Sequence, residues 1–139
     1  MNIAIATRLH TSFEDAVART REALAEQGFG VLTEIDVQAT LKAKLGQDME
    51  DYLILGACNP PLAHRAVQAN RQIGLLLPCN VVVRSDPEDA GTVLVEAMNP
   101  GLLVEVTGEP ELRPVAEEVA ARLNAAIDSL ESRSSAVPR

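Results

Sequence analysis

Tyr52-Leu53-Ile54-Leu55-Gly56-Ala57-Cys58-Asn59-Pro60-Pro61 is the stretch whose reading decides the fold. A short unbroken apolar run, bounded upstream by the polar turn residues Asp48, Glu50 and Asp51, reads as a strand. Tyr52 to Ala57 is apolar on both faces, which places the strand inside a sheet rather than at its edge. Asn59 then has the side chain of a helix N-cap, and Pro60 suits the first helical position because the amide it lacks has no helical partner there. Leu62, Ala66, Val67, Asn70 and Ile73 continue as the buried stripe of a helix that Gly74 is expected to end.

Working outward, Asn2 to Leu9 alternates as an opening strand, and Thr11 or Ser12 caps a helix over residues 12–27 with Gly28 as its stop. Phe29 to Ile35 is a second strand. Asp36 caps a short helix carrying Val37, Leu41 and Leu45, which Gly46 terminates. Downstream, Val81 to Arg84 and Thr92 to Met98 are strands expected to pair antiparallel, with Arg84 and Glu96 facing across them. Periodicity does not decide between helix and extended chain for Leu102 to Val106. Leu112, Val115, Val119, Leu123, Ile127 and Leu130 recur every three or four residues, describing a terminal amphipathic helix. The expected architecture is a two-layer α+β fold, with about five mostly antiparallel strands and helices packed on the sheet. Residues 1–131 form one domain, and 132–139, which lack an apolar pattern, form a flexible tail.

Composition excludes several partners. The net charge is −8 with no basic stripe, so nucleic acid and anionic membrane surfaces would meet a protein of their own sign. Phe13, Phe29 and Tyr52 are the only aromatics, too few to stack successive bases. No apolar stretch approaches the roughly 20 residues that span a bilayer. The expected location is the cytoplasm, where the two cysteines would be reduced thiols.

Both cysteines close an apolar run: Leu53 to Ala57 precedes Cys58, and Leu75-Leu76-Leu77-Pro78 precedes Cys79. Cys58 meets a helix N-terminus, whose unpaired amides can hold an anion or lower a thiol pKa for nucleophilic attack, redox exchange or metal ligation. A small buried apolar thiol is the structural alternative for each cysteine. His64, six residues after Cys58, is a candidate base or ligand, or else a surface histidine. Lys42 and Lys44 complement the dipole of the short second helix, with an acidic ligand as the alternative role for either. Gly28-Phe29-Gly30 follows a helix and enters a strand, the reverse of a dinucleotide fingerprint. No phosphate-binding loop, nucleophile elbow or HExxH is present, and the cysteines lack CxxC spacing.

The order of Gly28-Phe29-Gly30-Val31, Ile35-Asp36-Val37, Leu41-Lys42-Ala43-Lys44-Leu45-Gly46, Ile54-Leu55-Gly56-Ala57-Cys58-Asn59-Pro60 and Leu77-Pro78-Cys79-Asn80-Val81 resembles a bacterial and archaeal family, domain of unknown function 302. The resemblance spans nearly the whole chain, and the cysteine segments are its most specific parts. It implies a compact α+β homodimer and no established activity, and it singles out Lys42, Cys58, Asn59, Pro60, Pro78, Cys79 and Asn80. The resulting expectation is a binding protein taking a small anion or soft metal near Cys58, with Cys58, Asn59, Cys79, Asn80, Lys42 and His64 as ligand-binding candidates. The cofactor is unspecified. The competing expectations are a thiol enzyme or redox protein using Cys58, and a structural or interaction module with buried cysteines.

Overall fold

The computed structural model describes the backbone of residues 2–136 and the side chains through residue 131. Its strands are β1 (Ala4–His10), β2 (Gly30–Asp36), β3 (Tyr52–Cys58), β4 (Cys79–Ser85) and β5 (Thr92–Met98). They form one five-stranded sheet in the order β1-β5-β4-β3-β2. Every neighbouring pair is antiparallel. The helices are α1 (Phe13–Glu26), α2 (Val37–Leu45), α3 (Pro60–Ala69), α4 (Gly101–Thr107) and α5 (Arg113–Ala136). This is the α+β sheet-and-helix arrangement that the strand and helix patterns call for.

The core lies on one face of the sheet. Leu53, Leu55 and Ala57 of β3 alternate inward with Val81 and Val83 of β4 and Val93, Val95 and Ala97 of β5, all buried. Helices α1 and α5 pack against one another and over the β1, β5 and β4 side. The whole terminal stripe, Leu112, Val115, Val119, Leu123, Ile127 and Leu130, is buried. Tyr52, Ile54, Val82, Leu94 and Met98 alternate to the other side and stay half-exposed. Thus β3 is an interior strand, as expected, but only one of its apolar faces is buried. On the half-exposed face Arg84 Nε donates to Glu96 Oε1 at 2.7 Å. Strand register pairs Arg84 with Leu94 and Glu96 with Val82, so this ion pair runs diagonally.

Local chemistry explains the ends of the elements. Ser12 Oγ accepts the Asp15 amide and opens α1. Gly28 follows α1 with φ +84°, a left-handed conformation that suits glycine. Helix α3 ends at Ala69, not at Gly74. Asn70 is extended there, and its Oδ1 accepts the Gln72 amide to start a separate 3-10 turn over Arg71–Leu76. The undecided segment after β5 is helical as α4, and Gly108, at φ +67°, stops it. Helix α5 runs on through Ala136, into the segment read as a tail; residues 137–139 of that expected tail lie outside the described residues.

Candidate functional site

At one end of the sheet β3 runs out at Cys58 and β4 begins at Cys79. Ala57 is the direct cross-strand partner of Cys79, so their side chains share the helix-covered face. Cys58 has the opposite parity. As the last residue of β3, it leaves the pleat for α3 and still borders the same cavity as Cys79. Across β2 its partner is Gly30, where an added Cβ would meet nothing within 4 Å, so the space beside Cys58 is open.

The junction between the strands is tight. A Cβ on Gly56 would run into Thr33 Oγ1 and lie 2.8 Å from Pro78 Cγ, so this position has no room for a side chain. The Leu77–Pro78 peptide bond is cis.

Asn59 follows Cys58 and is 8% exposed. Its Oδ1 accepts the Leu62 amide at 3.3 Å, the N-cap bond expected of it. A Cβ on Gly28 would lie 2.9 Å from Asn59 Nδ2, so the bare glycine after α1 leaves the space that this amide occupies. The backbone, however, offers little to an anion. Pro60 and Pro61 occupy the first two helical positions and carry no N–H. The Leu62 amide is held by Asn59 Oδ1, and the Ala63 amide donates to the Asn59 carbonyl at 2.8 Å. The expected anion site needs unpaired amides, and the first turn of α3 spends those it has on its own cap.

The cavity encloses about 40 Å³. That volume suits a water or a single ion, far below the roughly 300 Å³ at which drug-sized ligand pockets begin. Its walls are apolar: Phe29, Leu62, Ala66, Leu77, Leu103, Val115 and Val119. Burial pushes the Cys79 thiol up to about 11, and the nearby Cys58 charge adds to the rise. Cys79 is therefore a protonated thiol at neutral pH. Both cysteines are free.

The remaining candidates stand elsewhere. Lys42 donates to Asp48 Oδ1 at 2.8 Å in an exposed pair near the Tyr52 end of β3. A seven-residue strand separates it from Cys58, roughly 20 Å. Asn80 pairs with Gly56 in the ladder and lines a shallow depression with Tyr52, Val82, Glu96 and Met98. Strand alternation puts it on the face opposite Cys79. His64 is exposed on α3 and does not line the cavity, so it is not placed as a base for either thiol. The structure thus groups Cys58, Asn59 and Cys79 and separates Asn80, Lys42 and His64 from them. Among the described residues no cluster of three or more His, Cys, Asp or Glu side chains could hold a metal.

Leu103, Val115 and Val119 carry no local sequence signal as cavity walls, because only packing brings α4 and α5 to this end of the sheet. Pro61 was visible as the second residue stripping α3 of amide donors.

The model of the family described as domain of unknown function DUF302 matches residues 5–130. An uncharacterized conserved DUF302 protein from Bacillus stearothermophilus, solved as a crystal structure, is 31% identical with a TM-score of 0.83. The alignment covers 92% of this chain and 98% of that one. No curated protein matches.

Proposed function

The chain belongs to the DUF302 family, and because that membership assigns no chemistry, we propose from the site itself that this is a binding protein for a soft metal ion. The ligating atoms are the Cys58 and Cys79 sulfurs. The observation that carries the reading is that Cys58 and Cys79 line one small apolar cavity at neighbouring strand ends. Thiolates favour soft ions such as Cu(I), and a monovalent ion of that class is satisfied by two sulfurs where structural zinc takes four ligands. The capped, proline-opened start of α3 makes a small anion the poorer occupant. Closing both sulfurs on one ion asks Cys58 to turn inward at the strand end, beside the side-chain-free Gly30.

Binding exchanges the thiol protons for the metal, so affinity is coupled to pH. The proton on Cys79, held up to about pH 11, makes affinity rise as pH rises. A reducing compartment such as the cytoplasm keeps both thiols available, and no helix among the described residues is long and apolar enough to cross a membrane. We propose further that the working form is a homodimer.

The test is anaerobic titration of the reduced full chain with Cu(I) against a competing chelator. One ion per chain is expected, with ultraviolet thiolate-to-copper absorption. Cys58→Ala and Cys79→Ala should each weaken binding roughly a hundredfold. Unchanged binding in Cys58→Ala overturns the reading.

A further inference from the structure

Outside the cysteine cavity, a second group of polar side chains meets where α5 packs on the end of α1 and the start of α3. Among the described residues one buried side-chain nitrogen has no hydrogen-bond partner, Arg122 Nε on α5. The rest of that guanidinium is loosely held. Nη1 donates to the Gln27 carbonyl at 3.3 Å and Nη2 to Glu118 Oε2 at 3.4 Å, both long beside the roughly 2.7–2.9 Å of a charge-assisted bond. Glu118 is shared, because its Oε1 accepts Arg65 Nη1 at 3.1 Å. A donor taken out of water without an acceptor is costly, and most costly on a charged group.

Asn59 supplies the second observation. It is 8% exposed, its Oδ1 is taken by the Leu62 amide, and its Nδ2 makes no hydrogen bond among the described residues. Asn59 Nδ2 and Arg122 Nη1 stand 2.9 Å and 3.9 Å from one point, the place where a Cβ on Gly28 would be. Gly28 itself is exposed. Two under-satisfied donor groups therefore flank bare backbone that opens to solvent, and a glycine lets a ligand come close to the chain there.

We infer that the junction of Gly28, Asn59 and Arg122 is a binding site for an oxyanion group, a carboxylate or a phosphate. Its oxygens accept from Arg122 Nε and Asn59 Nδ2. A guanidinium edge presents paired N–H bonds that match such a group, and the amide adds a neutral donor from the α3 side. The site uses side-chain donors, so it does not depend on the first turn of α3, where Pro60 and Pro61 carry no N–H. Local charge agrees. Arg65 and Arg122 set two cations against the one carboxylate of Glu118, leaving one positive charge for a ligand in a chain of net charge −8.

Proton–nitrogen NMR on the full chain tests this, with the Arg122 Nε–H signal identified by its loss in Arg122→Lys. Sodium phosphate and sodium acetate are titrated separately, each against sodium chloride at matched ionic strength. Saturable movement of the Arg122 Nε–H and Asn59 side-chain amide signals is expected, with half-saturation in the roughly millimolar range. Movement with acetate alone assigns a carboxylate ligand, with phosphate alone a phosphate, and with both a site that takes either. Arg122→Lys keeps the charge but loses the fork, and Asn59→Asp keeps an acceptor for the helix cap while removing the donor. Each should retain its far-ultraviolet circular dichroism and, read through the other residue's signal, bind roughly tenfold more weakly. Signals that move no more than in chloride, leaving water as the occupant, or binding that survives both substitutions, overturn the inference.

Discussion

The end of β3 and the start of β4 are adjacent in the sheet and alike in sequence, each an apolar run closed by a cysteine, yet their thiols have different surroundings. Cys79 pairs with Ala57 on the helix-covered face and is 6% exposed. Cys58 is out of phase with that face and half-exposed, at the point where the chain leaves the sheet. The difference teaches that register and parity, more than the local motif, decide whether a thiol is packed away or open to reagents. Both nevertheless meet at one cavity, because α3 and α5 close over the strand ends.

The contrast is most easily broken by alkylation. At pH 8 a thiol of pKa about 11 is roughly one part in a thousand thiolate. Because Cys79 is also buried whereas Cys58 is half-exposed, iodoacetamide should modify Cys58 at least about tenfold faster than Cys79 in the folded chain. Peptide mass spectrometry showing equal rates would erase the distinction.

Gly56→Ala probes the seam between the two strand ends. Its Cβ would strike Thr33 Oγ1 and crowd Pro78, so urea unfolding should show a loss of about 3 kcal/mol. Thr33→Ala in the same background should recover part of that loss, because the contact with Pro78 stays. A shift within experimental error would mean that the strands are not closed as tightly as they stand.

Alkaline pH sharpens the contrast from the side of Cys79. Its folded pKa, about 11, lies above the 9.0 of a free thiol, so between these values the unfolded chain has lost a proton that the native chain keeps. The stability contributed is full below about pH 9 and is lost as pH climbs through about 11, roughly 2–3 kcal/mol in all. Chemical denaturation across this range should fall less steeply for Cys79→Ala than for wild type. Parallel curves would show that the thiol titrates alike in both states.

The smallest effect is expected beside Cys58. Asn59→Ala removes the cap on the Leu62 amide and should lower stability by about 1 kcal/mol. Asn59→Asp keeps an acceptor and should regain most of it. If Asp is as poor as Ala, the packing of Nδ2 over Gly28 outweighs the cap.

Much of the fold was legible because its signals are local. The spacing of Leu112 through Leu130 identified the buried stripe of the terminal helix, and Asp36, Gly46, Asn59 and Pro60 stand where capping chemistry places them. Helix α3 ends before the stop that its apolar spacing predicts, because Asn70 competes with helix continuation through its own side chain, which periodicity does not weigh. The candidate site was legible only in part. Cys58, Asn59 and Cys79 converge, whereas Lys42 faces Asp48 near the far end of β3 and His64 faces solvent.

By itself the sequence determined the five strands, most of the helices and caps, and that the chain carries two cysteines in similar settings, since these follow from contacts a few residues apart. Only the tertiary structure decided that β3 and β4 are neighbours in the register that buries Cys79, that Leu103, Val115 and Val119 enclose the cavity, and that α2 is left without a buried face. Those outcomes depend on strand pairing and on helices packed from distant parts of the chain, and a one-residue change of register would exchange the two faces.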